Sequence, residues 1–258
     1  MLKDNWLLNK LKNSTKPCIG TWITLPCPAS LDVICSTGPD FVVIDTEHAP
    51  ASFETAQMMA VTCESRRVSP VYRVPGAIQS DIVRSLEIGM HAVQVPNITS
   101  AEMVRGVVQS SRYRPDGTKG LSPFTRACDY SSDNAAKMVN IANKNTLLIA
   151  QVEGQEGIDN LDEILDVKGI DLVFIGLYDL SNYLGITGEL NNPKLKDLFS
   201  RLVKRISDHG IIVGSISNTS EQLRFLLDSG ARYITHSADC QVLSSAYRSV
   251  LDLARAQG

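Results

Sequence analysis

Glu153 and Asp179 each stand just beyond a short apolar run, the first in TLLIAQVE and the second in LVFIGLYD. Two hard oxygen donors, with the Gln151 amide two residues before one of them, suit a Mg²⁺ or Mn²⁺ ion whose shell is completed by water and substrate. Zinc is disfavoured, because no histidine pair or Cys/His spacing accompanies these acids. Acids that follow strands also cap helices, and capping of residues 180–184 is the competing role for Asp179. His48 follows Asp45 by three residues in FVVIDTEHAP. A carboxylate that fixes the tautomer of a nearby imidazole makes a general-base pair; the competing role for His48 is packing at a strand end. Arg73 follows the apolar run PVY. A guanidinium there meets an anion or a developing oxyanion, or else pairs with one of the nearby acids. Trp22, Asn97, Ser237 and Asp239 close neighbouring runs and complete a polar ring, whereas His91, His209 and His236 look structural.

The lysines narrow the chemistry. An aldolase that works through a Schiff base needs a lysine at such a strand end. None of the 11 lysines closes an apolar run. Carbonyl chemistry in this ring would therefore be metal-assisted.

What must position these residues is an alternation of strands and helices. Apolar, β-branched runs recur at 18–25, Phe41–Asp45, 70–74, 92–96, 146–152, Leu172–Ile175, 211–216 and 233–237. Helix-period segments separate them at 52–67, 79–88, 101–113, 158–167, 194–209, 220–227 and 241–256. Ser52, Ser100 and Ser220 read as N-caps, with Glu54, Glu102 and Glu221 in the first turns. Gly89, Gly169, Gly210 and Gly230 read as helix stops. Eight β/α units in one chain predict an α/β fold, a (β/α)₈ TIM barrel forming a single domain over residues 1–258. A doubly wound open sheet is the runner-up. It would carry a glycine-rich phosphate turn, and no such motif occurs. A barrel puts its site at the C-terminal strand ends, where all the residues above fall. The irregular stretch 114–132 is too long for a plain connection and is expected to be an active-site loop.

Composition excludes other classes. With 258 residues, 43% hydrophobic and a net charge of −3, the chain has no electrostatic footprint for nucleic acid or a membrane surface. No run of 18 apolar residues and no signal-peptide pattern occurs. Six cysteines without paired spacing predict reduced thiols and a cytoplasmic protein.

The segments IDTEHAP, YRVPG, LEIGMHAVQVPN, QVEGQEGI and FIGLYDLSNYLG, in this order between Gly20 and Asp239, closely resemble the HpcH/HpaI family of metal-dependent pyruvate aldolases. The resemblance implies a modified TIM barrel whose last helix is exchanged with a neighbouring subunit, in a homo-oligomer that is a hexamer or trimer. It implies Glu153 and Asp179 as ligands of a divalent ion (Mg²⁺, Mn²⁺ or Co²⁺) and Gln151 as their helper. Arg73 would bind the keto oxygen, and His48 with Asp45 would form the acid/base pair. Trp22 would line the substrate site, and the backbone at Gly176, Leu177 and Tyr178 would cradle the pyruvate carboxylate. Three positions depart from the family pattern: Glu87 stands for a usual aspartate linked to acid/base work, Lys119 for an arginine, and Leu177-Tyr178 for a smaller pair. The activity implied is making or cleaving a C–C bond between the enolate of pyruvate or a related 2-oxo acid and an aldehyde held by the 114–132 loop. Products would be 4-hydroxy-2-oxo acids or 2-dehydro-3-deoxy sugar acids. The alternatives are a citrate synthase-like carboligase acting on oxaloacetate, in siderophore or surface-polysaccharide biosynthesis, a ligation using acetyl-CoA, and a non-catalytic assembly subunit.

Overall fold

The computed structural model describes residues 5–133 and 135–256. In chain order the elements are α1 (Trp6–Asn13), β1 (Cys18–Ile23), α2 (Pro28–Ser36), β2 (Phe41–Asp45), α3 (Phe53–Ser65), β3 (Ser69–Arg73), α4 (Gln79–Glu87), β4 (Ala92–Val95), α5 (Ala101–Ser111) and α6 (Ala135–Asn145). They continue with β5 (Leu147–Val152), α7 (Gln155–Asp159), α8 (Leu161–Leu165), β6 (Leu172–Ile175), α9 (Leu177–Tyr183), α10 (Pro193–Asp208), β7 (Ile212–Ser217), α11 (Ser220–Asp228), β8 (Tyr233–Ala238) and α12 (Asp239–Arg255). The strands pair in parallel in sequence order and close, β8 returning to β1 with Cys18 opposite Tyr233. This is the (β/α)₈ barrel that the alternation predicts.

Strand periodicity of two sorts the side chains into two cores. Val42, Ile44, Val93 and Val173 face outward and pack against the helices. Phe41, Val43, Val71, Ala92, Ile149, Phe174 and Tyr233 face inward and fill the barrel. Continuing the inward register upward by two residues reaches Asp45 from Val43, Arg73 from Val71, Gln94 from Ala92 and Gln151 from Ile149. The top interior layer is thus polar because the strand sequences switch from apolar to polar at their last inward position.

The opposite end is plugged. Helix α1, which periodicity did not reveal, adds Leu7, Leu8 and Leu11 to the inner core, each buried leucine worth about 1.5–3 kcal/mol. Asn5 ties it there by donating from Nδ2 to the carbonyl of His91 at 2.7 Å. Helix α6 also lies outside the segments read from the sequence. Ser52 and Ser100 cap α3 and α5 as expected, but α11 is capped by Thr219, whose hydroxyl accepts from the amide of Gln222 at 3.2 Å. Gly210 and Gly230 end α10 and α11 with φ of +73° and +96°, left-handed values that favour glycine.

Two features bear on assembly and environment. Helix α12 buries only Asp239, leaving Val242, Leu243, Tyr247, Val250, Leu251 and Leu253 exposed. The six cysteines are free, and among the described residues no helix is long and apolar enough to cross a membrane.

Candidate active site

Asp45 and Arg73 are register partners at the ends of β2 and β3. The Arg73 guanidinium donates from Nε to Asp45 Oδ1 at 2.9 Å and from Nη2 to Oδ2 at 2.6 Å. Its Nη1 lies 3.1 Å from Glu47 Oε2, an ion pair without hydrogen-bond alignment. The Trp22 ring sits 4.2 Å from the guanidinium carbon, and Trp22 is itself anchored by its indole N–H donating to Thr235 at 2.9 Å. Arg73 is therefore buried, stacked and forked onto a carboxylate. It does pair with local acids, as its competing role required, yet stays at the barrel mouth.

This arrangement removes the expected side-chain pair of Asp45 and His48. Asp45 spends its oxygens on the arginine fork and on the backbone amides of Glu47 and His48, at 3.0 and 3.3 Å. The planar fork matches a carboxylate better than one imidazole nitrogen can. The His48 side chain is 68% exposed, and its Nε2 lies 3.8 Å from Glu47 Oε2. Glu47, which sequence reasoning assigned no role, is thus the carboxylate nearest the imidazole. Burial raises the Glu47 carboxyl above its ordinary range. Arg73 and His48 oppose that rise, and the charges of Asp45 and Asp179 add to it.

Glu153 is buried beyond the end of β5. Its Oε1 accepts from the amide of Asn97 at 2.9 Å and its Oε2 from Gln151 Nε2 at 2.5 Å. Asn97 takes a left-handed φ of +53°, which asparagine tolerates better than most residues, and this turn brings its amide to the carboxylate. Burial raises the Glu153 carboxyl, the two hydrogen bonds pull it back, and Asp179 and Glu47 push it up again. Gly176 allows this packing: a Cβ there would stand 2.6 Å from Glu153 Oε2. Asp179 lies in the first turn of α9, whose N-cap is Gly176 with no side-chain cap. Among the described residues its carboxylate makes no hydrogen bond or ion pair, so the capping role is not taken up. Leu177 is buried, while Tyr178 is half exposed with its hydroxyl accepting from Asn218 Nδ2 at 2.5 Å.

Asp45 and Glu47 pair with the one guanidinium, and Glu153 and Asp179 stand near enough for their charges to act on Glu47 and on each other, a marked anionic excess at the mouth. Oxygen-only donors with surplus negative charge fit a hard divalent cation. No group of three or more His, Cys, Asp or Glu converges to hold a metal among the described residues. The chain would then supply few ligands and leave positions for water and substrate, the habit of Mg²⁺-type sites.

Two expected participants lie elsewhere. Glu87 ends α4, beside Lys119 and Tyr113, at the end of the barrel where strands begin. Burial lowers the Lys119 ammonium to about 8, with Glu87 opposing, and its Nζ sits 4.6 Å from the Tyr113 ring centroid. The stretch 114–132 covers the same end: Lys119 N–H donates to the carbonyl of Arg112, and Arg126 pairs with Glu64 near the close of α3. A connection that follows a helix returns to the strand beginnings, whereas the mouth is built by connections that follow strands. Within one chain, neither Glu87 nor this loop reaches the carboxylate ring.

The model of the family "HpcH/HpaI aldolase/citrate lyase" matches residues 18–246. A 5-keto-4-deoxy-D-glucarate aldolase of Shigella boydii serotype 18 is 32% identical over 234 residues, covering 91% of this chain and 90% of that protein. The crystal structure of an HpcH/HpaI aldolase/citrate lyase family protein from Burkholderia cenocepacia J2315 superposes with a TM-score of 0.90 at 26% identity, covering 98% of this chain and all of the other. The citrate synthase SbnG superposes at 0.88, also at 26% identity, covering 99% of each chain.

Proposed function

The chain belongs to the HpcH/HpaI aldolase/citrate lyase family and is a carbon–carbon lyase of the aldolase type, and we propose that it joins or cleaves the enolate of pyruvate and an aldehyde, with Glu153 and Asp179 holding a Mg²⁺, Mn²⁺ or Co²⁺ ion. The observation that carries this reading is the cluster of four carboxylates at the barrel mouth, Asp45 and Glu153 buried and Glu47 and Asp179 more open, beside a single arginine forked onto Asp45. A bound divalent ion would supply Lewis-acid charge for the oxygen of the enolate. Arg73 supplies a second positive group for that oxygen from a position that Asp45 and Trp22 hold fixed, so little reorganisation is needed as charge develops. Gln151 and the Asn97 amide keep Glu153 in one rotamer. His48, exposed at the mouth beside Glu47, takes and returns the proton of the aldol hydroxyl. Gly176, Leu177 and Tyr178 form the wall next to Asp179 against which the carboxylate of pyruvate rests.

We assign the protein to the cytoplasm, where six free thiols persist. The exposed apolar stripe of α12 supports exchange of this helix between subunits of a homo-oligomer. The likeness to SbnG favours one second reading, carboligation with oxaloacetate.

The deciding experiment incubates the protein with Mg²⁺ or Mn²⁺, pyruvate or oxaloacetate and a panel of aldehydes, with 5-keto-4-deoxy-D-glucarate as a cleavage substrate, and scores products by mass spectrometry. Divalent-dependent aldol formation or cleavage is expected, and EDTA should abolish it. Trapping of pyruvate on a lysine by borohydride would overturn the reading.

A further inference from the structure

Behind the carboxylate ring runs a one-way chain of hydrogen bonds. Gln94 on β4 is fully buried, with Arg73 as its register partner on one side and Ile149 on the other. Its Nε2 donates to Gln151 Oε1 at 2.5 Å, and Gln151 Nε2 in turn donates to Glu153 Oε2 at 2.5 Å. The direction follows from chemistry. An ionised carboxylate only accepts, so Gln151 must turn its NH₂ toward Glu153, and its carbonyl oxygen then faces Gln94, which must donate. Gln94 Oε1 is left buried with no hydrogen-bond partner among the described residues. Arg73 and Gln151 share the inward layer of Gln94, and the inner core that includes Ala92, Ile149 and Phe174 fills the barrel.

We propose that Gln94 is a positioning residue: by holding the Gln151 amide in one orientation, it sets how tightly Glu153 holds a divalent ion. This rests on the reading of Glu153 as a metal ligand. Without Gln94, the Gln151 carbonyl oxygen loses its donor, and the amide is free to turn away from Glu153. Gln151 bonds the ligand directly, and loss of such a partner typically changes affinity by about 10–100-fold; Gln94 acts through Gln151, so this range is its ceiling.

The test is Mn²⁺ binding to the metal-free full-length protein, followed by the electron paramagnetic resonance signal of free Mn²⁺, with no substrate present. Gln94→Met should weaken binding by about 10-fold, the lower end of the range for a direct partner of the ligand. Gln94→Met combined with Gln151→Met should bind no more weakly than Gln151→Met alone, because Gln94 acts through Gln151. Circular dichroism checks folding, and Gln94→Leu replaces the Met variant if that one fails to fold. Glu153→Gln separates the two layers of the argument. If it binds Mn²⁺ as the parent does, the ligand reading falls and the role of Gln94 falls with it. If Glu153→Gln loses the ion while Gln94→Met stays within about threefold of the parent, the relay alone is overturned. Additive losses in the Gln94 and Gln151 variants would overturn it as well.

Discussion

Arg73 and Asp45 face each other across adjacent strands, and the guanidinium closes on the carboxylate through two hydrogen bonds of 2.9 and 2.6 Å. The pair is buried, so its two halves answer differently to mutation. Arg73→Ala should depress both aldol cleavage and proton exchange at the pyruvate methyl group by about 2–4 kcal/mol in activation free energy, the scale for one preorganised donor. Arg73→Lys should rescue little, because an ammonium cannot reproduce the fork. Asp45→Ala strands a buried guanidinium and should cost about 3–5 kcal/mol in urea unfolding, toward the lower end because Glu47 remains. Unchanged stability in that variant would contradict the pairing.

His48 is exposed and tied to no carboxylate by a hydrogen bond, so its loss should leave folding intact. His48→Ala should slow cleavage by about 10²–10⁴-fold, the usual general-base contribution. Deuterium exchange into pyruvate, read by NMR, should fall less, since exchange involves no aldol hydroxyl. Equal losses would make His48 the base that forms the enolate.

Gly176 is where the backbone beyond β6 meets Glu153. A Cβ there would stand 2.6 Å from Oε2 and 2.7 Å from the Glu153 Cβ. Gly176→Ala should therefore displace the carboxylate and weaken Mn²⁺ binding, read by titration calorimetry, while circular dichroism stays unchanged. Parent-like binding would show that Glu153 has freedom to retreat.

Lys119 gives a pH signature remote from the mouth. Burial lowers its ammonium to about 8, from 10.5 for an exposed lysine. Between these values the unfolded chain holds a proton here that the folded chain has released. Stability contributed at this residue thus rises with pH across that window, and below it the full burial penalty applies. Unfolding of the parent and of Lys119→Met at pH 7 and pH 9.5 should show the parent gaining on the variant at the higher pH. A constant gap would refute the shift.

Helix α12 exposes Val242, Leu243, Val250 and Leu251. Under the proposed helix exchange, the full chain should sediment as an oligomer, and truncation after Asp239 should leave a less active monomer in sedimentation velocity. A truncated, fully active monomer at micromolar concentration would count against helix exchange.

The eight strands and the barrel are legible in the sequence, because β-branched runs between capped helices carry their own periodicity. So is the ring of Glu153, Asp179, Arg73 and Gln151, since any polar residue ending a barrel strand must stand near the mouth. The pairing within the ring is not legible. Asp45 and His48 are neighbours in sequence, but strand register sets Asp45 opposite Arg73, and the fork outcompetes the imidazole. Gln94 lies inside an apolar run, and only its inward position and its bond to Gln151 reveal a role. Glu87 is singled out by its place in the family pattern and the 114–132 stretch by its length, yet both lie where helices end rather than where strands end. A linear sequence states which residues occur and in what period. Which end of the barrel they occupy, and which partner they take there, follows from strand register and chain reversal, which exist only once the sheet has closed.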